Sequence, residues 1–451
     1  MSKLYVFLIG LAVLVLASRI QPVKGWMRDF FSQKKSLAFM LPMLVLFGWP
    51  IDNIESFRTG ADLGWQRVAR IIIFIGFFCF YVYEISRKPG YKVPLSAPVI
   101  LFFLYSLYAG ISTLYSPEPM QTAWKSFELL VVLMFGLSLY QGCRNNPMNA
   151  VSLVNGLVYI AFALCLMSIV GGIVAPEHAW RDWGLLGLGE RSMAGVAPSV
   201  NPNMLGQLGA MVILVGISGF LRITKEYRIG SAFVIAVGLA SLLLAYSRTS
   251  IISTIIFSAF ILFLLRKTSI LVLLIPLGAI IGVLMAEPFM TYLARGQSAE
   301  QFASMSGRTY MWDAALNAWE LSPWFGHGYY VGHKYVVLGG GRFLETADNT
   351  YVETLVNLGV MGFGLVTAFA FAYLKLIVSH RSFMRCRSIE VQGLFVFSSI
   401  IFFVILVRSI TASSFQVLHY NLLFLVVVLF ALLNINLLVK GLSSGTAKSI
   451  R

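Results

Sequence analysis

Apolar residues in this chain gather into continuous runs rather than alternating or keeping to one helical stripe. Thirteen such runs stand out, at 4–18, 37–51, 68–86, 97–113, 126–141, 151–175, 201–221, 230–246, 250–265, 269–286, 352–376, 392–409 and 421–439. A bilayer core about 30 Å thick takes a helix of about 20 apolar residues, because lipid offers no partner to an open backbone. The pattern therefore predicts an all-α membrane protein with 12 to 13 transmembrane helices. The first two runs are short, and an interfacial or re-entrant segment in place of one of them leaves twelve crossings. No repeat of fixed period and no low-complexity linker interrupts the series, so positions 1–451 are expected to form a single polytopic membrane domain.

Composition agrees. The chain is 58% hydrophobic, only 12% charged, and has a mean hydropathy of +0.81. A soluble globular protein carries about a quarter charged residues, and polar surface could not cover a core this apolar. Run 4–18 lacks a convincing small-residue cleavage site, so it is expected to be the first membrane helix rather than a removed signal. Cys79, Cys143, Cys165 and Cys386 lie in apolar runs or basic loops, so no disulfide framework is expected.

Charge orients the runs. Of the 34 basic residues, 21 fall in alternate loops with only four acidic ones (Asp29, Glu84, Glu226 and Glu390), a net +17. The opposite side carries −2, and together they make the +15 of the whole chain. Lys and Arg concentrate on the cytoplasmic side of membrane proteins. The basic loops are therefore expected inside, and the basicity calls for no nucleic-acid partner.

Two polar segments then fall outside. Segment 176–203 is rich in Gly and Trp and holds Arg191. The longer one, 287–351, contains a helical pattern at 306–322. There Trp312, Ala315, Leu316 and Trp319 form one apolar stripe, ended by Pro323 and Gly326. That helix is expected to lie on the membrane surface with its aromatic face at the interface.

Arg248 sits in Ala245-Tyr246-Ser247-Arg248-Thr249-Ser250, between two apolar runs with almost no loop. A snorkelling arginine at a helix end is one reading. The other is an anion-binding arginine in a cavity between helices, because Arg191, Arg308 and Arg408 fall at similar outer depths and a guanidinium fork suits phosphate oxygens. Asp348, in Thr346-Ala347-Asp348-Asn349-Thr350-Tyr351, reads either as a helix N-cap or as a general base. Asn201 and Asn203 flank Pro202 at a helix start and read as caps or as ligands of sugar hydroxyls. The five histidines show no metal-ligand spacing, no DxD pair occurs in the outer loops and no Walker-type loop is present. The expected chemistry is metal-independent, without a cofactor or ATP.

These residues carry a resemblance. Asn201-Pro202-Asn203-Met204-Leu205-Gly206 resembles the NPN-x-LG segment of the O-antigen ligase/polymerase superfamily, and Ser247-Arg248-Thr249 its SR-small junction. Arg308, Trp312, Ala315, Pro323 and Gly326 resemble its R-xxx-W-xx-A … P-xx-G outer helix. Asn349-Thr350-Tyr351 with Gly359-Val360-Met361-Gly362 resembles its HN-x-Y/L … G-hydrophobic-hydrophobic-G block. The resemblance runs from Arg191 to Gly362. It implies a bacterial inner-membrane glycosyltransferase of the GT-C type, with its active site facing the periplasm. It further implies an undecaprenyl-pyrophosphate-linked oligosaccharide as donor and direct displacement with inversion. Arg191 and Arg248, with Arg308, are implied to hold the pyrophosphate; Asn201, Asn203, Asn349, Tyr351 and Arg408 are expected, from their places at outer helix ends, to bind substrate. Ligases carry histidine where this chain has Asp348. That departure points to a polymerase of O-antigen or exopolysaccharide, extending one lipid-linked repeat with another and working with a chain-length regulator. An O-antigen ligase acting on lipid A core, a lipid-linked glycan transporter and a peptidoglycan polymerase of the shape, elongation, division and sporulation family are the alternatives.

Overall fold

The structure is a computed structural model. It describes residues 3–32, 65–87, 91–182, 191–196, 200–221, 225–264, 286–294, 304–305, 307–337, 346–386, 388–415 and 420–443, with isolated positions at 267, 269, 270, 272, 276 and 344. The elements in chain order are α1 (Lys3–Ala17), α2 (Val23–Ser32), α3 (Trp65–Arg87), α4 (Ala97–Ile111), α5 (Pro119–Asn145), α6 (Met148–Val174), β1 (Trp180–Asp182), β2 (Arg191–Met193) and α7 (Pro202–Phe220). Then follow α8 (Lys225–Leu244), α9 (Arg248–Leu264), α10 (Ala286–Ala294), α11 (Arg308–Glu320), α12 (Thr350–Ser379), α13 (Ile389–Arg408), α14 (Tyr420–Leu432) and α15 (Ile435–Ser443).

Every predicted run that falls within the described residues is helical. The run at 37–51 and most of the run at 269–286 lie outside them. Among the described residues, seven helices are long and apolar enough to cross a membrane, and the bent pair α14–α15 makes an eighth. The chain is an all-α, multi-pass membrane protein. Helix α5 starts earlier than its apolar run because Lys125 and Glu128 neutralise each other at 3.0 Å, both side chains almost fully buried. The Trp124 indole donates a further hydrogen bond to Glu128, at 2.7 Å. Pairing makes two charges tolerable where either alone would not be.

The chain divides into two compact units. One comprises Met1–Ser32, Val154–Gly307 and Phe383–Arg408, the other Gln33–Leu153, Arg308–Ser382 and Ser409–Arg451. In the first, α7 is the central helix, packed on α8, α9 and α13. It crosses α8 where Gly209 meets Gly238, and a Cβ on either would fall within 3.0 Å of the other's carbonyl oxygen. With lipid around the bundle, such backbone-to-backbone packing replaces the hydrophobic drive as the source of helix association. In the second unit α12 packs on α4 and α11, and α5 on α3, α4 and α14.

Helix α12 is broken at Gly359, whose φ of 63° and ψ of −165° belong to a region open only to glycine. The segment after α11 fills the break. The Val356 and Asn357 carbonyls accept from His327 N and Gly328 N, at 2.9 and 2.8 Å, while Val360 N donates to Pro323 O at 2.9 Å. A Cβ on Gly359 would lie 2.3 Å from the Trp324 carbonyl, and one on Gly326 2.5 Å from Asn357 C. The P-xx-G and G-hydrophobic-hydrophobic-G motifs are thus two halves of one interlock, and structure alone accounts for their glycines.

The α11 helix forms where its pattern predicts, and protein side chains pack against its apolar stripe. Ala315 is fully buried in a cluster with Val336, Leu344, Ala347 and Val356, against which Trp312 and Trp319 pack. Their indoles donate to Ala347 O at 2.7 Å and to Pro323 O at 3.0 Å. Large exposed apolar side chains follow the helix in the next turn, at Leu321, Trp324 and Phe325. Exposed aromatic residues of this kind suit a membrane–water boundary.

Candidate functional site

In the first unit, α8 ends at Leu244 and α9 begins at Arg248. The reversal is achieved at Tyr246, whose φ is +51°. Ser247 is buried and its hydroxyl lies 2.8 Å from that of Ser250, which tightens the turn. Gly206 of α7 packs directly on it: a Cβ there would sit 2.4 Å from Ser247 Cβ. The NPN-x-LG and SR-small motifs are therefore a second interlock, and its product is a fixed position for Arg248. Arg248 is half-buried and opens α9 rather than closing α8. A cation there opposes the helix dipole, which favours anions at its N-terminus. Such a site suits an anion twice over, through the guanidinium fork and through the N-terminal end of the helix dipole.

Asn201 is the N-cap of α7, its side-chain oxygen accepting from Asn203 N at 3.0 Å. The cap uses the oxygen, so any sugar contact from Asn201 falls to its amide. Arg408 is the last residue of α13 and is buried. At a helix C-terminus a cation is favoured without a ligand. Arg191 lies in β2, opposite Asp182 of β1. Its side chain is outside the described residues. Helices α9 and α13 pack together and bound a shallow apolar groove lined by Phe257, Phe260, Phe395, Ile400 and Phe403.

In the second unit, two residues singled out separately in the sequence meet. Arg308, first in α11, reaches Asp348 with Nη2 to Oδ2 at 3.0 Å, the side chains 18% and 38% exposed. A partly exposed pair of this kind is worth at most about 1 kcal/mol, so it orients more than it stabilises. Asp348 has a φ of +49° and is not the cap of α12. Asn349 is, its side-chain oxygen accepting from Tyr351 N at 2.9 Å and Val352 N at 3.2 Å. The Tyr351 ring packs edge-on against Phe363 of the same helix. The N-cap reading of Asp348 is corrected accordingly: it sits one residue outside the helix, free of capping duty.

Sequence reasoning missed Glu353. It lies in the first turn of α12 and is buried. Its Oε1 accepts from Thr346 Oγ1 at 2.7 Å, Ala347 N at 2.9 Å and Ser413 Oγ at 2.6 Å. A carboxylate one turn into an apolar run was the available signal, since such a group is buried only with partners. Those partners come from both sides of the chain, at 346–347 and 413, which spacing cannot reveal. The 409–414 turn is tied to the same helix start, with Thr350 N donating to Ser409 O at 2.9 Å and Thr350 Oγ1 to Ala412 O at 2.7 Å.

The four motif segments thus fold into two interlocks, one carrying Arg248 and the other the Arg308–Asp348 pair. No curated protein matches the chain. Residues 232–367, from α8 into α12 and including Arg248, Arg308 and Asp348, match the family model described as O-antigen ligase. Members of that family are glycosyl-transferring enzymes. Over this stretch, a little under a third of its length, the chain is similar to the O-antigen ligase family, in line with the resemblance read from its motifs.

Proposed function

We propose that this protein polymerises undecaprenyl-pyrophosphate-linked oligosaccharide repeats, as an O-antigen or exopolysaccharide polymerase, at the periplasmic face of the inner membrane. The observation that carries the reading is Arg248 at the start of α9, an arrangement made for an anion. On the expected topology Arg248 and Arg408 both lie at outer helix ends, above the aromatic groove between α9 and α13. A pyrophosphate headgroup at the arginines, with its apolar tail in the surrounding lipid, fits this polarity.

Pyrophosphate is a good leaving group that needs charge neutralisation more than a proton. Arginines aimed at it stabilise the negative charge that grows as the bond from the anomeric carbon to the phosphate oxygen breaks. The acceptor hydroxyl attacks that carbon from the opposite side, with inversion, and its proton passes to Asp348. Undecaprenyl pyrophosphate departs. No metal takes part in this scheme. Asp348, where ligases have histidine, favours polymerase over ligase. The ligase reading is kept alive by the match itself, which is to a model described as O-antigen ligase.

Purified protein incubated with a lipid-linked oligosaccharide is expected to give a ladder of products. A single transfer to lipid A core would make it a ligase, and no new glycosidic bond would leave transport. Orientation is checked separately. In a cysteine-free background, a cysteine at the exposed position 337 should be labelled from outside and one at the exposed position 28 should not. The opposite result would remove the periplasmic site.

A further inference from the structure

The Arg308–Asp348 pair depends on backbone that resists its own conformation. Asp348 is held at a φ of +49°, and the two residues before it are the ones bound by Glu353. The bonds form a relay. Asp348 N donates to Thr346 Oγ1 at 3.1 Å, and the same hydroxyl donates on to Glu353 Oε1 at 2.7 Å. Ala347 N donates to that oxygen directly, at 2.9 Å. Ser413 Oγ adds a bond at 2.6 Å and anchors the carboxylate to the 409–414 turn. A buried acceptor that gathers three donors fixes their geometry closely, because each would be costly to leave unpaired. Helix α12 is itself pinned on the far side by the interlock at Gly359, so Glu353 is a rigid base from which the 346–348 segment hangs.

We infer that Glu353 is a positioning residue for Asp348: through Ala347 N–H and the Thr346 hydroxyl it holds the left-handed backbone that aims Asp348 at Arg308 and at the acceptor. This rests on the reading that Asp348 serves the transfer reaction. Glu353 touches no substrate and acts only through this segment. A displacement of about 1 Å at a reacting group can cost on the order of 10²-fold in rate. Glu353→Ala is therefore expected to lower kcat by about 10- to 100-fold, with KM for the lipid-linked donor little changed. Glu353→Gln keeps the accepting oxygen and is expected to restore most of that loss.

The test is a double-mutant cycle of Glu353→Ala with Asp348→Asn, measured on the full-length protein as kcat and KM for lipid-linked oligosaccharide. If Glu353 acts through Asp348, the double variant is no slower than Asp348→Asn alone. Losses that multiply would overturn the inference, as would a normal kcat in Glu353→Ala or a Gln variant as slow as the Ala one. Should Glu353→Ala fail to fold, Thr346→Val cuts the same relay at nearly constant volume and must show the same loss of kcat. The underlying reading fails separately, if Asp348→Asn with Glu353 intact keeps full turnover; the positioning role then falls with it.

Discussion

Arg248→Ala should abolish glycan transfer, by about 10²- to 10³-fold in turnover, while the protein still folds and inserts. The magnitude is that of one preorganised donor to a developing oxyanion, about 3 kcal/mol. Folding should survive because the turn is built without the guanidinium: Tyr246 supplies the reversal, Ser247 and Ser250 close it, and Gly206 packs on it. Arg248→Lys should recover only part of the activity, since an ammonium keeps the charge but loses the two-pronged fork. The competing account is an arginine that snorkels to the membrane boundary. It predicts that Ala lowers stability and leaves chain growth alone. Polymer length in cells carrying Arg248→Ala separates the two, and normal length would leave the snorkelling arginine.

Asp348→Asn should cost about 10²- to 10⁴-fold in turnover, the range of a general base, with donor binding retained. The structure makes this a cleaner test than the sequence promised. Asn accepts a left-handed backbone as readily as Asp does, so the φ of +49° adds no strain. The cap of α12 is Asn349 and is untouched. What remains to lose is the charge. If Asp348 merely partners Arg308, removing that charge costs at most about 1 kcal/mol of stability at this exposure, and turnover stays near normal. Measuring turnover, donor binding and thermal stability on this one variant decides between a base and a surface ion pair. Asp348→Ala would not, because it also strains the backbone.

Much of the molecule was legible in the chain. The helices follow from run length because lipid leaves a backbone no choice but to satisfy itself, and every run within the described residues is helical. Helix α11 was legible from its 3.6-residue stripe and its Pro323–Gly326 stop, and Asn201 from its place before Pro202. Arg248, Arg308 and Asp348 stood out because charge beside an apolar run is costly and therefore conspicuous. A stripe, however, declares only that it must be covered. Whether lipid or protein covers Trp312 and Trp319 was decided by the cluster of Val336, Leu344, Ala347 and Val356 that packs against them. The choice of Asn349 over Asp348 as cap was decided by one backbone angle, which composition does not encode. The meeting of Gly206 with Ser247, of Gly326 with Asn357, of Gly359 with Trp324, and of Glu353 with Thr346 and Ser413 lay beyond sequence altogether. These are contacts between segments up to tens of residues apart, and a chain read in order carries no record of which of its distant parts will touch. Local periodicity determined what each segment is, and close packing determined which polar groups are spent on structure and which are left for chemistry.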